Sequence, residues 1–201
     1  MSEPRRHLER ARWVAIAGVL LLLGGCGINN IPSQKQQVDA AWSQVLNEYQ
    51  RRTDLIPNLV ATVKGYAAHE ASVLEAVTEA RAKVTQTRIP PDILTNPQAF
   101  QTFERNQATL SGALSRLMVV TENYPNLKAD QNFLALQSQL EGTENRIAVA
   151  RRDYILAVQQ YDTELATIPG RWYHSLFYGG YQPVQNFTIS QQAQQAPQVK
   201  F

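Results

Sequence analysis

This 201-residue chain has one cysteine and three histidines with which to do chemistry. Cys26 is the most distinctive of them. It follows Leu23-Gly24-Gly25, which close an apolar run from Trp13 to Leu23, behind a stretch carrying Arg5, Arg6, Arg10 and Arg12. A basic start, a short apolar core and small residues before a cysteine are the pattern of a lipobox-type secretory signal. The small residues let an extended chain enter a peptidase cleft. The Cys26 thiol then takes a diacylglycerol, and its freed amino group can take a third chain. The apolar run suits a signal and falls short of the ~20 residues a spanning helix needs. An uncleaved single-pass anchor in the inner membrane is the alternative. In both cases the arginines stay inside and residues 27–201 lie beyond the cytoplasmic membrane. Gly27 rather than Asp follows Cys26, so the outer membrane is the expected destination in a host that has one.

Other chemistry is sparse. A single Cys excludes an intramolecular disulfide and a Cys-cluster zinc site, and acylation would remove it as a nucleophile. His69-Glu70 lies in HEASV, without the second His four residues on that a helical zinc-protease site requires. His7 belongs to the signal and His174 to an aromatic stretch. Paired Glu-x-x-His motifs, G-x-S-x-G and a Gly-rich phosphate loop after a strand are all missing. No catalytic residue, metal ligand or cofactor is assigned, and a non-enzymatic role is expected. Without the four Arg and two Glu of residues 1–25, fifteen basic and fifteen acidic side chains remain. That balance argues against a general nucleic-acid binder, which needs a basic face.

The elements that would position any site are helices. After a linker (26–32), Pro32-Ser33 offers a helix start. Val38, Trp42, Val45, Tyr49, Ile56, Leu59, Val63, Tyr66, Leu74, Val77 and Val84 then recur at mostly three- and four-residue spacing, a helical stripe. The stripe crosses Pro57 almost in phase, which predicts either a bend there or a turn with Asp54 capping a new helix. Residues 86–97, with three prolines, read as a loop. Asn96-Pro97 opens a second stripe: Phe100, Phe103, Gln107, Leu110, Leu114, Leu117. A third helix is predicted from about Asp130 to Thr167, with Phe133, Leu136, Leu140, Thr143, Ile147, Ala150, Tyr154, Ala157, Tyr161, Leu165 and Ile168 in its stripe. The expected fold is all-α, an antiparallel bundle of long helices over residues 33–170 with coiled-coil-like packing. Residues 171–189 form an aromatic-rich segment, and the polar residues 190–201 are expected to be disordered.

Charged residues crowd these stripes: Arg51, Arg52, Asp54, His69, Glu70, Arg81, Glu144, Arg146, Arg151, Arg152 and Asp153. Arg52 and Glu70 fall at or next to seam positions where the spacing would place an apolar residue. One reading is a set of interhelical ion pairs that fix register. The other is a polar pocket, drawn from Arg52, Asp54, His69, Glu70, Arg81, Glu144, Arg146 and Arg151, for a ligand or ion. The aromatic segment carries Trp172, Tyr173, Phe177, Tyr178, Tyr181 and Phe187. These either cap the bundle end or meet lipid or a protein partner.

Two blocks, YQRRTDLIPNLVATVKGYAAHEASVLEAVTEARAKV (Tyr49 to Val84) and LSGALSRLMVVTENYPNLKADQNFLALQSQLEGTENRIAVARRDY (Leu110 to Tyr154), together with the Trp42 region, resemble the LemA family of bacterial envelope proteins. The chain departs from the family pattern at Ile155, Asp162 and Ile168. The resemblance implies a helical, membrane-associated protein with most of its mass outside the cytoplasm. The family has no established catalytic residues to carry over. Its members are often encoded beside membrane peptidases or TPM-domain proteins, which implies envelope maintenance and partners of those kinds. The combined expectation is a scaffold or adaptor lipoprotein held in membrane lipid by an acylated Cys26. The alternative is a helical-bundle protein that binds an envelope ligand or ion through its seam charges.

Overall fold

A computed structural model describes residues 27–187; Leu23, Gly24, Gly25, Cys26 and residues 190–201 lie outside that range. The fold is an all-α bundle. Helix α1 spans Asn30–Tyr66, α2 Ala71–Gln86, α3 Pro97–Thr121, α4 Pro125–Lys128, α5 Gln131–Ala166 and α6 Gly170–Phe177. Helices α1 and α5, 37 and 36 residues long and so ~55 Å each, form the closest-packed pair. They run antiparallel, since Asn30 meets Glu164 at one end and Arg52 meets Glu144 near the middle. Arg81 reaches back to Thr53, so α2 is antiparallel to α1. Arg52 meets Gln107, and Trp42 packs on Phe103, so α3 runs along α1 again. The order is up, down, up, down.

Local chemistry starts and stops these helices as the sequence leads one to expect. Asn96 caps α3 by accepting from the Ala99 N–H at 3.1 Å, with Pro97 in the first turn. Asp130 caps α5 by accepting from the Phe133 N–H at 2.9 Å. That hydrogen bond, with a second from the Tyr66 hydroxyl, holds the Asp130 carboxyl below its ordinary range. The first helix begins at Asn30, inside the stretch read as a linker.

Pro57 neither starts a helix nor ends one, which decides against the turn of the two alternatives; α1 passes through it and ends at Tyr66. Proline lacks the N–H that would bond the carbonyl four residues back, which here is Thr53. The Arg81 guanidinium of α2 supplies the missing donor, its Nε 3.2 Å from the Thr53 oxygen. The chain reverses at residues 67–70, with neither Gly nor Pro in the turn. Folding back there lays Leu74, Val77 and Ala80 against α3, whereas a straight helix would leave them uncovered.

Helix α2 covers only half of α1. Over the other half, the turn at Ile93 and Leu94 and the extended segment after Tyr178 take its place, burying Ile93, Leu94, Val184 and Phe187. The core therefore has two parts. One joins Ile31 to Tyr49 with Phe100, Phe103, Ile147 to Leu165 and Phe187. The other joins Ile56 to Ala67 with Leu74 to Ala80, Leu110 to Leu117, Leu127, Phe133 and Leu140. Between them lie three seam positions that are not apolar: Arg52, Gln107 and Thr143, all buried.

The Pro57–Arg81 relation is directly measurable. Arg81→Ala should cost ~1–2 kcal/mol, because a partly buried carbonyl loses its one donor. In a Pro57→Ala background the restored N–H of residue 57 serves Thr53, and the same Arg81 substitution should then cost markedly less. A urea-denaturation double-mutant cycle reads the difference. Equal costs in both backgrounds would refute the pairing.

Candidate functional site

The buried polar layer is centred on Arg52, 1% exposed and at a seam position of α1. Its Nη1 donates to Glu144 Oε1 at 2.8 Å and to Ser111 Oγ at 2.7 Å. Its Nη2 donates to the Gln107 side-chain oxygen at 2.6 Å. The guanidinium also lies 5.1 Å from the centre of the Tyr49 ring. Nε is buried without an acceptor. Four of the partners come from α1, α3 and α5, so one cation ties three helices. An unpaired charge at this depth would cost several kcal/mol. The planar fork of arginine suits this many fixed acceptors better than a lysine would.

One turn along, Glu48 accepts from Arg146 Nε at 3.0 Å and from Gln44 at 3.1 Å, while Arg146 Nη2 donates to Thr143 Oγ1 at 2.8 Å. Burial pushes the Tyr49 phenol up, opposed by Arg151 and then Arg52. Arg151 lies 4.2 Å from the Phe187 ring centre.

The eight charged residues singled out from sequence therefore separate. Arg52 and Glu144 form the centre, with Arg146 and Arg151 beside it. Arg81 is committed to the Thr53 carbonyl. Asp54 is exposed and accepts from Gln50 on the outer face of α1. His69 is exposed in the turn after α1, and Glu70 accepts from the Tyr124 hydroxyl at 3.0 Å. These last three do not join the layer. Gln107, Ser111, Thr143 and Glu48 belong to it and were not proposed as site residues. Gln107 and Thr143 carried a signal, because they are polar residues standing in apolar stripes.

Beside the layer, a cleft of about 390 Å³ opens between α1, the end of α2 and α3. Asn47, Gln50, Asn106 and Gln107 line it with Tyr49 and Phe103. Among the described residues no three His, Cys, Asp or Glu side chains group as metal ligands.

The aromatic segment divides between core and surface. Phe187 is buried against Trp42, Phe100 and Tyr154 at ring-centre distances of 6.1, 5.2 and 5.5 Å. Tyr173, Tyr178 and Tyr181 are partly buried against the same cluster. These four pack on the bundle and so cap its end, while Trp172 and Phe177 are exposed. The extended stretch is strapped down by α5. The Tyr154 hydroxyl donates to the Gln185 carbonyl at 2.6 Å, the Tyr161 hydroxyl to that of Gln182 at 3.1 Å, and the Val184 N–H to Asp162 at 3.3 Å. The Gln185 N–H pairs with the Leu94 carbonyl at 2.6 Å. Asp162, a departure from the family pattern, thus holds the strap. Burial raises its carboxyl, against the lowering effect of the Val184 N–H.

Two outcomes follow for stability. Arg52→Met should lower it by ~2–3 kcal/mol, since Gln107 and Ser111 lose their donor while Glu144, 44% exposed, can turn to water. Glu144→Gln should cost no more than ~1 kcal/mol. Equal urea midpoints for the two variants would show that the ion pair alone holds the layer. Tyr161 is pushed up to about 12, first by burial and then by Asp162, Tyr181 and Asp39. Its unfolded value is ~10, so the folded state binds the extra proton in this range. The Tyr161 contribution should be fully present below pH ~10 and be lost as pH rises toward 12. Tyr161→Phe should remove its share of that alkaline fall in Tm.

Comparison with known proteins places the whole arrangement. Two proteins of Paramagnetospirillum magneticum, Magnetosome protein MamQ 1 and Magnetosome protein MamQ 2, are each 33% identical to this chain over 75 residues. The matched stretch is 37% of this chain and spans 27%, little more than a quarter, of each of those proteins. A family model matches far more, covering residues 41–201 and hence the polar layer, both halves of the core and the strap. The chain belongs to the LemA family.

Proposed function

We propose that this helical, envelope-associated protein is a lipoprotein tethered through an acylated Cys26, and that it acts as a non-enzymatic scaffold or adaptor for other envelope proteins. The observation that carries the reading is the state of the polar layer. Arg52 spends its terminal nitrogens on Glu144, Gln107 and Ser111, and both oxygens of Glu48 are taken. Charges used in this way fix helix register, and those of the layer are spent on one another rather than on a ligand or substrate. Among the described residues no helix is long and apolar enough to cross a membrane, and the anchor is assigned to residues 1–26 on their sequence. Function on this reading is placement: acyl chains hold the bundle at a surface and its long faces carry partners. Membrane peptidases and TPM-domain proteins are the first candidates.

Palmitate-probe labelling should mark the wild type and spare Cys26→Ala; labelling of both would sink the acylation. In-cell crosslinking of the full chain, read by mass spectrometry, should then return a dominant envelope protein linked to one helical face.

A second reading, the binding of an envelope ligand or ion, is favoured by the cleft beside Gln107. Four side-chain amides and two aromatic rings suit a small polar molecule better than a bare cation. A ligand of the native state must raise Tm by mass action, so a thermal-shift panel of envelope metabolites and metal ions tests it. A crosslinking blank combined with a shift abolished by Asn106→Leu would replace the adaptor reading with this one.

A further inference from the structure

Helix α6 presents an apolar face that the bundle leaves uncovered. Ile168, just before it, and Trp172, Leu176 and Phe177 on it are between 60% and 73% exposed. Trp172 and Leu176 stand four residues apart and so share one ridge, with Phe177 beside Leu176 and the exposed Ile168 just before the helix. The opposite face is occupied: Gly170 is buried, Tyr173 packs on the core, and His174 Nε2 lies 2.7 Å from the Tyr181 carbonyl oxygen. A side chain at Gly170 would strike the Glu164 carbonyl oxygen. The helix therefore sits tight on the end of α5, and its outward face has a fixed direction.

What covers that face is indicated by where the chain enters the fold. A Cβ built on Gly27 would lie 3.2 Å from Tyr173 Cε2 and 3.9 Å from Pro169 Cγ. Gly27 is thus against α6, and it is one residue after Cys26. The chain therefore enters the fold beside α6, and a surface that anchors it at the preceding residue lies on the side of that helix. The same holds if Trp13–Leu23 stays as an uncleaved anchor. Tryptophan suits the headgroup boundary, leucine and phenylalanine the acyl edge below it. Arg171, exposed on the flank of the ridge, suits anionic lipid.

We propose that α6 is a membrane-contacting element, with Ile168, Trp172, Leu176 and Phe177 seated in the interfacial layer of the bilayer that holds residue 26. The bundle then stands on this end, with the turn at residues 67–70 pointing away. This rests on the assignment of residues 1–26 as the membrane anchor, and the test separates the two.

Full-length protein in a Trp13→Phe background is purified from membranes. It is reconstituted in phosphatidylethanolamine–phosphatidylglycerol vesicles, with and without brominated acyl chains. Trp42, buried in the core, and Trp172 are then the only tryptophans. Flotation reports the anchor, and bromine quenching reports α6. The expected result is flotation together with bromine-dependent loss of emission, and disappearance of that loss in Trp172→Phe. Flotation with no quenching overturns the membrane contact while leaving the anchor intact. If Trp172 is then also shielded from acrylamide, a second copy or a protein partner covers the ridge instead. Failure to float overturns the anchor, and this proposal with it. Trp172 is exposed, so its replacement leaves the core untouched, and circular dichroism of each variant checks that.

Discussion

The bundle depends on one cation in the wrong place. Arg52 stands where the spacing of α1 calls for an apolar side chain, and at that depth it is tolerable only with its terminal nitrogens filled. Glu144, Gln107 and Ser111 fill them from two other helices. Gln107 and Thr143 are themselves the polar members of their stripes, so the three long helices bring their exceptions to one level. A slip of α3 by one heptad would bring Phe100 or Leu114 in place of Gln107 opposite Arg52, and a slip of α5 would replace Glu144 by Gln137 or Arg151. Apolar seams alone tolerate such slips; a single polar layer does not.

That layer also divides the core into two halves of different construction. Below it, four helices pack in the ordinary way, with α2 and α3 closing over α1. Above it, α2 is gone and the gap is filled by large rings and by irregular chain. Trp42 contacts Phe100, Phe103, Tyr154 and Phe187 at 5.2 to 6.1 Å. Tyr154 and Tyr161 each use a ring for the core and a hydroxyl for a strap carbonyl, which is the double use to which a buried tyrosine is suited.

Much of this was legible in the sequence because it is periodic or local. The stripes of α1, α3 and α5, the caps at Asn96 and Asp130, and the misfit of Arg52 all follow from spacing and residue type. What escaped reading is non-local. Pro57 leaves a bend and a turn equally open in the sequence, because its remedy, Arg81, lies on another helix. The reversal at residues 67–70 has no Gly or Pro to announce it; it is imposed by the apolar face of α2 needing α3. Asp54, His69 and Glu70 border the same apolar stripe as Arg52 in the sequence, yet Asp54, two residues on, faces the other side of α1. The aromatic segment read as one unit because composition cannot say which rings have a core to enter. Strap contacts such as Tyr154 to Gln185 leave no pattern to find.

The strap has a consequence for the order in which the molecule can assemble. The lower half of the core draws on residues 56 to 140 alone, so a growing chain holds everything it needs well before the last quarter of the described chain has emerged. The upper half joins Ile31 to Phe187, almost the full contour of the described chain. Because synthesis delivers the N-terminus first and distant contacts close late, the end next to Gly27 stays open until the last aromatic arrives. An enzyme that acts at residue 26 before Phe187 has emerged meets an unfinished fold; one that acts afterwards meets a closed one.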